Sequence, residues 1–201
     1  MFQSIHPDNP QPQAIRKAVN CLTKGGLIIY PANRYGLCCD MRNMKAVEKM
    51  AELKGTKWEK ATFSMVCKDL SQVAQYTVNF DKSVFKVLKH HLPGAFTFIL
   101  KAGGDIPRAL KKRKSMGIQM PETAISMALI EELGVPLLNA SLPIGANEEY
   151  PSDPQAIYER FQHDVDMVLD GGAVKNDATT VVDCLDQSFE VIRQGAGILE
   201  V

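Results

Sequence analysis

The residues of this chain that could do chemistry are scattered. Lys54, Thr97, Ser141, Thr179, Thr180 and Arg193 lie far apart, yet each stands on or beside a short apolar run or its exit. If folding gathers them, hydroxyls with one lysine and one arginine make a recess suited to a polyanion such as a nucleoside triphosphate. Charge-assisted hydrogen bonds to phosphate are the strong ones, and arginine presents them as a fork. Each residue also has a plainer use. Thr97 and Thr180 suit a strand, Ser141 suits a turn, and Lys54 and Arg193 suit a solvated surface. Their convergence is therefore the expectation that the fold must meet.

Other chemistries find little support. The chain has no GxxxxGK[ST] phosphate loop, no GxGxxG, no GxSxG nucleophile elbow and no HExxH. No paired Cys/His spacing suggests a protein-held metal. His90-His91 closes a helical pattern, where histidine complements the helix dipole. Asp170 precedes Gly171-Gly172, which reads as a turn-capping role rather than metal ligation. Lys111-Lys112-Arg113-Lys114 is the only run of four cations. With Lys101, Arg108 and the loop after Lys54, it offers a track for a nucleic-acid backbone, or simply a solvated loop.

The elements that must position these groups are legible from punctuation and periodicity. Leu27-Ile28-Ile29-Tyr30 is a continuous apolar strand stopped by Pro31, and such strands sit in sheets covered on both faces. Its exit, Pro31-Ala32-Asn33-Arg34-Tyr35, is where ligands bind in open α/β sheets. Before it, Pro12 opens a helix with Ala14, Ile15, Ala18, Val19 and Leu22 on one face, and Gly25-Gly26 closes it. Asn43 and Asp69 cap two further helices, and a fourth spans Asp81 to His90. Others run from Thr123 to Leu133 and from Ser152-Asp153-Pro154. Strands are predicted over 35–39, 62–67, 95–100, 115–120, 135–138 and 165–169. Thr179 to Cys184 and Glu190 to Arg193 form a hairpin. The alternation predicts an α/β fold with a twisted, open, mixed sheet and helices on both sides. Neither a repeat nor a long linker divides it, so residues 1–201 read as one domain.

Composition agrees. In 201 residues, 45% are hydrophobic and 23% charged, enough for a full core. Formal net charge is zero, so only a local basic patch could attract nucleic acid. No run approaches the ~20 apolar residues of a membrane span. The start MFQSIHPDNPQPQ lacks the features of a signal peptide, and the five cysteines form no CxxC. These observations lead us to expect a reduced, cytoplasmic protein. Cys38 and Cys39, adjacent on a strand, should point to opposite faces.

Read together, the motifs resemble the YrdC-like family of threonylcarbamoyl-AMP synthases, most closely its YciO branch. Ser4-Ile-His-Pro-Asp-Asn-Pro10 looks like the opening of that branch. Tyr30-Pro31 through Tyr35-Gly36-Leu37 is similar to PTDTxYGL, Lys54-Gly55 to a KxR loop, and Pro93 to Leu100 to PGPxTxIL. Gly117 to Pro121 resembles GxRxP. Asp170-Gly171-Gly172, Thr179 to Asp183 and Ile192 to Gly195 resemble DGG, STVVD and LRxG. The resemblance covers nearly the whole chain. It implies a concave, positively lined cleft binding ATP, threonine and bicarbonate, with Mg²⁺ accompanying the nucleotide. The product would be threonylcarbamoyl-AMP, destined for threonylcarbamoyladenosine in tRNA. It also implies affinity for double-stranded RNA or tRNA, for which Lys111, Lys112, Arg113 and Lys114 are the candidate contacts. By this likeness Lys54, Ser141, Thr179 and Arg193 hold phosphates, and Tyr35 and Thr97 line the pocket.

The departures are specific. Pro31-Ala32-Asn33-Arg34 replaces PTDT with one residue fewer before Tyr35. Thr56 and Gln119 stand at two cation positions, and Leu142-Pro143 replaces Ala-Asn after Ser141. Arg34, Lys57 and Lys60 are the cations available to replace those lost. A non-catalytic RNA-binding protein is the alternative reading.

Overall fold

The computed structural model of the protein describes residues 1–186 and 188–201. The strands are β1 (Phe2–Ser4), β2 (Ile28–Pro31), β3 (Tyr35–Asp40), β4 (Ser64–Val66), β5 (Phe96–Lys101), β6 (Ser115–Gln119), β7 (Leu137–Ser141), β8 (Met167–Asp170), β9 (Thr180–Asp183) and β10 (Glu190–Arg193). The helices are α1 (Pro12–Thr23), α2 (Met44–Leu53), α3 (Leu70–Tyr76), α4 (Lys82–His91), α5 (Ala124–Leu133) and α6 (Pro154–Phe161). The described strands form one mixed sheet in the order β1-β8-β2-β3-β7-β4-β6-β5-β9-β10.

Local sequence accounts for the helix ends. Asn43, Asp69, Asp81, Thr123 and Asp153 each accept a hydrogen bond from a backbone N–H three residues on. Such a cap contributes about 1 kcal/mol by satisfying a donor that the helix leaves free. Gly25, at φ +87°, follows the end of α1 and turns the chain into β2.

The alternation of side chains along each strand builds two cores. On one face Ile28, Cys38, Val66, Leu137, Met167 and Leu169 pack against α1 and α5. On the other Ile29, Leu37, Cys39, Met65, Phe98 and Ile118 pack with residues of α2, α3, α4 and α6. Cys38 and Cys39 thus fall on opposite faces, as strand geometry requires. Both are buried, and their thiol pKa values are pushed up, chiefly by burial.

Several expectations shift. β2 pairs parallel with β8 but antiparallel with β3, so its apolar run marks burial on both faces rather than a parallel neighbourhood. The strand expected over 135–138 lies at 137–141, which puts Ser141 on a strand instead of in a turn. β3 pairs with β7 out to Gly36 opposite Ser141 and holds it there. β4 is shorter than expected. β1 is visible only through its parallel pairing with β8, since three residues carry no period. β9 and β10 form the expected antiparallel pair. No helix among the described residues is long and apolar enough to cross a membrane.

Candidate ligand-binding cleft

The face packed on α1 and α5 is covered over only part of the sheet. Farther along, the same alternation presents Ser64 and Val66 of β4, Thr97 and Ile99 of β5, Gly117 and Gln119 of β6, and Asn139 and Ser141 of β7 to a hollow of about 380 Å³. Their chain neighbours Met65, Phe98, Ile118 and Leu138 are buried in the opposite core. The floor is therefore polar by the same period of two that makes the core apolar. Two glycines keep it low. A Cβ on Gly117 would stand 2.9 Å from Thr97 Cγ2, and one on Gly36 would stand 2.6 Å from Asn139 Oδ1.

Hydrogen bonds cross this floor from strand to strand. The Gln119 amide donates to Thr97 Oγ1 over 2.7 Å, and Thr97 Oγ1 lies 2.7 Å from Thr179 Oγ1. Arg193 Nη2 donates to the Thr179 carbonyl at 2.9 Å and, more weakly, to its hydroxyl at 3.4 Å. On the far side Asn139 Nδ2 approaches Gln119 Oε1 at 3.5 Å. Tyr30 Oη and Asn139 Oδ1, both on residues that line the hollow, are buried without a hydrogen-bond partner among the described residues. Burial pushes the Tyr30 phenol well above its usual value, with Cys38 and Tyr150 adding to it.

Above this neutral floor the walls are cationic. Arg34, Lys60, Arg113 and Arg193 line the hollow, against the single carboxylate of Asp177. The pKa values of both Lys54 and Arg193 are lowered, first by burial and then by the charge of Arg34. Those three cations therefore share one electrostatic neighbourhood, although they come from positions 34, 54 and 193. Arg34 lies over the Tyr150 ring, 4.1 Å from its centroid.

Of the residues expected to meet, Thr97, Ser141, Thr179 and Arg193 line the hollow. Lys54 stands behind Ser141, donating to its carbonyl at 2.9 Å and lying 3.2 Å from its hydroxyl. Tyr35 is fully buried and does not line the hollow. Its hydroxyl donates to the Gly172 carbonyl at 2.8 Å and accepts from Gly171 N at 3.3 Å, so it anchors the loop after β8. Thr180 is likewise inside, donating to the Gly197 carbonyl. Of the possible replacement cations, Arg34 and Lys60 reach the wall and Lys57 does not.

The basic run divides. Lys111, Lys112 and Lys114 are exposed. Arg113 turns inward, donating to the carbonyls of Trp58 and Ala61, with its guanidinium carbon 4.8 Å from the centre of the Phe63 ring. It ties the loop before β6 to the loop after α2, and Lys112 lies 5.8 Å above Trp58. Two basic segments distant in sequence thus meet at the rim. Sequence reasoning missed the amide of Asn139 and the ring of Tyr150. The signal for Asn139 was its place two residues before Ser141 on one strand.

Residues 20–195 match the Sua5/YciO/YrdC family, described as telomere recombination. YciO of Escherichia coli (strain K12) is 38% identical over 199 residues, covering 98% of this chain and 96% of that protein. The crystal structure of E. coli YciO superposes with a TM-score of 0.90, covering 98% of this chain and 97% of that one. A threonylcarbamoyl-AMP synthase of Bacillus subtilis (strain 168) is 29% identical, covering 95% of this chain but 55% of the synthase. Sua5 of P. abyssi, solved with L-threonine, shares the fold at a TM-score of 0.86 and 21% identity, over 97% of this chain and 57% of its own. With its mixed sheet, its polar floor and this match across most of its length, the chain belongs to the Sua5/YciO/YrdC family.

Proposed function

We propose that the cleft binds ATP, threonine and bicarbonate and forms or acts on threonylcarbamoyl-AMP, the intermediate for threonylcarbamoyladenosine in tRNA. In the forward direction the threonine amine attacks the carbon of bicarbonate to give a carbamate, and the bicarbonate hydroxyl leaves with an amine proton as water. A carbamate oxygen then attacks the α-phosphorus of ATP, and pyrophosphate leaves with the electrons of the broken P–O bond. The chemistry needs positioning and charge neutralisation more than a protein nucleophile. Arg34, Lys60, Arg113 and Arg193 supply the charge, while Thr179 and Ser141 supply short directional contacts and Gln119 and Thr97 brace Thr179 from behind. Mg²⁺ would arrive with the nucleotide as part of the substrate. The free thiols, four of them buried, suit a reducing cytoplasm.

The observation that carries this reading is the lining of one hollow by Arg34, Lys60, Arg113 and Arg193 above a neutral floor, with Lys54 bonded to Ser141 beside it. Like charges held together lower one another's pKa unless an anion joins them. The experiment is to incubate the protein with ATP, threonine and bicarbonate and follow pyrophosphate. Release that requires all three is the expected result, and release no faster than in a heat-killed control rejects the reading.

A second reading has its own support. Arg113 holds the two basic loops side by side, which gives an RNA backbone a rim to follow. Binding through phosphates should weaken steeply with salt, as each neutralised phosphate releases counterions. Absent or salt-independent binding of double-stranded RNA or tRNA rejects it.

A further inference from the structure

Arg34 sits on the strand exit with its guanidinium carbon over an aromatic ring. The ring is Tyr150, 4.1 Å away, and it is itself fixed on two sides. Its hydroxyl donates to the Tyr35 carbonyl at 2.6 Å and accepts from Leu142 N at 2.9 Å, joining β3 to the segment after β7. The Tyr150 carbonyl accepts from Asn176, which brings in the loop that follows β8. Among the described residues no carboxylate pairs with Arg34. A stacked guanidinium cannot use its face for hydrogen bonding, but its N–H groups lie in the plane and point outward. It also keeps less freedom to lose on binding than an unstacked arginine. Lys54 and Arg193 both feel its charge, so the three form a cationic group that a bound anion would relieve.

We propose that Arg34, held in orientation by Tyr150, is an oxyanion-binding fork of this cleft, built to take two oxygens of one phosphate or carboxylate, and that Tyr150 is its positioning residue. The inference deepens the reading above and rests on the cleft being the ligand site. It does not require the chemical step.

The test uses inorganic pyrophosphate and acetate as probes, with ATP·Mg²⁺ alongside, titrated calorimetrically into the full chain. Arg34→Ala should weaken pyrophosphate binding by roughly ten- to a hundredfold, the range of a charge-assisted hydrogen bond. Arg34→Lys keeps the charge and loses the fork, so it should recover only part of that loss. Tyr150→Leu removes the ring and should weaken binding by about three- to tenfold in the wild-type background and have no further effect once Arg34 is alanine. Tyr150→Phe keeps the ring and loses the two bonds of the hydroxyl. It should melt lower and weaken binding less than Tyr150→Leu does, and it serves if Tyr150→Leu does not fold. Stronger binding of pyrophosphate than acetate assigns the fork to phosphate, and the reverse assigns it to carboxylate. Unchanged binding by Arg34→Ala, additive losses in the double variant, or no binding of either anion by the wild-type protein overturns the inference. Pyrophosphate binding through Arg34 without turnover of ATP leaves the fork standing and removes the synthase reading.

Discussion

Gln119 donates its side-chain N–H to the Thr97 hydroxyl over 2.7 Å. Thr97 Oγ1 in turn lies 2.7 Å from Thr179 Oγ1, which also receives the longer contact from Arg193. The Thr179 hydroxyl is thus held at the cleft by Thr97 on one side and Arg193 on the other. The floor thereby presents a positioned hydroxyl to an incoming ligand. Gln119→Met and Thr97→Val should each weaken ATP binding by about three- to tenfold, the worth of one neutral hydrogen bond. Together they should weaken it no further, because both break one relay. Calorimetry on the two single variants and the double closes the cycle, and independent losses would mean that Gln119 and Thr97 meet the ligand separately.

The divided basic run separates RNA from nucleotide. Replacing Lys111, Lys112 and Lys114 together by alanine should leave ATP affinity unchanged and lower RNA affinity. The slope of log affinity against log salt should fall by up to about three, roughly one for each phosphate no longer neutralised. Filter binding across a salt series reads this directly. Arg113→Ala should harm both ligands, since Arg113 lines the hollow and holds the loop of Trp58. A pure RNA phenotype for Arg113→Ala would contradict its inward position.

Gly117→Ala tests how closely the floor is built. The new methyl would lie 2.9 Å from Thr97 Cγ2 and 3.2 Å from Ser64 Cβ, inside ordinary contact. Loss of about 1–3 kcal/mol is expected for such overpacking, together with weaker ATP binding as Thr97 moves. Urea denaturation measures the first and titration the second. Wild-type values for both would show slack between β5 and β4 that the distances deny.

Asp166 gives a pH signature remote from the cleft. Burial raises its pKa, but the Leu27 N–H at 2.9 Å and Lys49 at 3.2 Å outweigh it, and the net shift is downward. A carboxyl lowered on folding stabilises the fold above its unfolded value. That contribution is lost as pH falls through the lower folded value. Both partners of the ion pair are nearly half exposed, so solvent screening limits the effect to about 0.5 kcal/mol. Asp166→Asn should therefore lower stability at pH 7 and flatten its fall between the ordinary aspartate value of 3.8 and more acid pH. An unchanged acid limb would assign that limb to other carboxylates.

Local chemistry was the legible part of this chain. Caps such as Asn43 and Asp153, the glycine end of α1 and the opposed Cys38 and Cys39 depend on near neighbours, and a sequence displays those. The convergence of Thr97, Ser141, Thr179 and Arg193 could be anticipated because strand exits of one sheet collect ligands. What could not be read depends on which strands become neighbours. β1 exists through β8, and Ser141 joins a strand because β3 reaches that far. Tyr35 looked like a wall residue, yet it anchors the Gly171-Gly172 turn. The stacking of Arg34 on Tyr150 spans more than half the chain, and no local pattern announces it.

Because β4, β5, β6 and β7 send alternate residues to the hollow and the remainder to the opposite core, with Phe96 and Ala140 touching both, recognition and folding draw on largely separate sets of positions. Exchanges at Gln119, Asn139 or Ser141 alter what the protein can hold while Ile118 and Leu138 keep the opposite core filled. A scaffold arranged in this way can change its ligand by drift at every other site, and its specificity can diverge long before its architecture does.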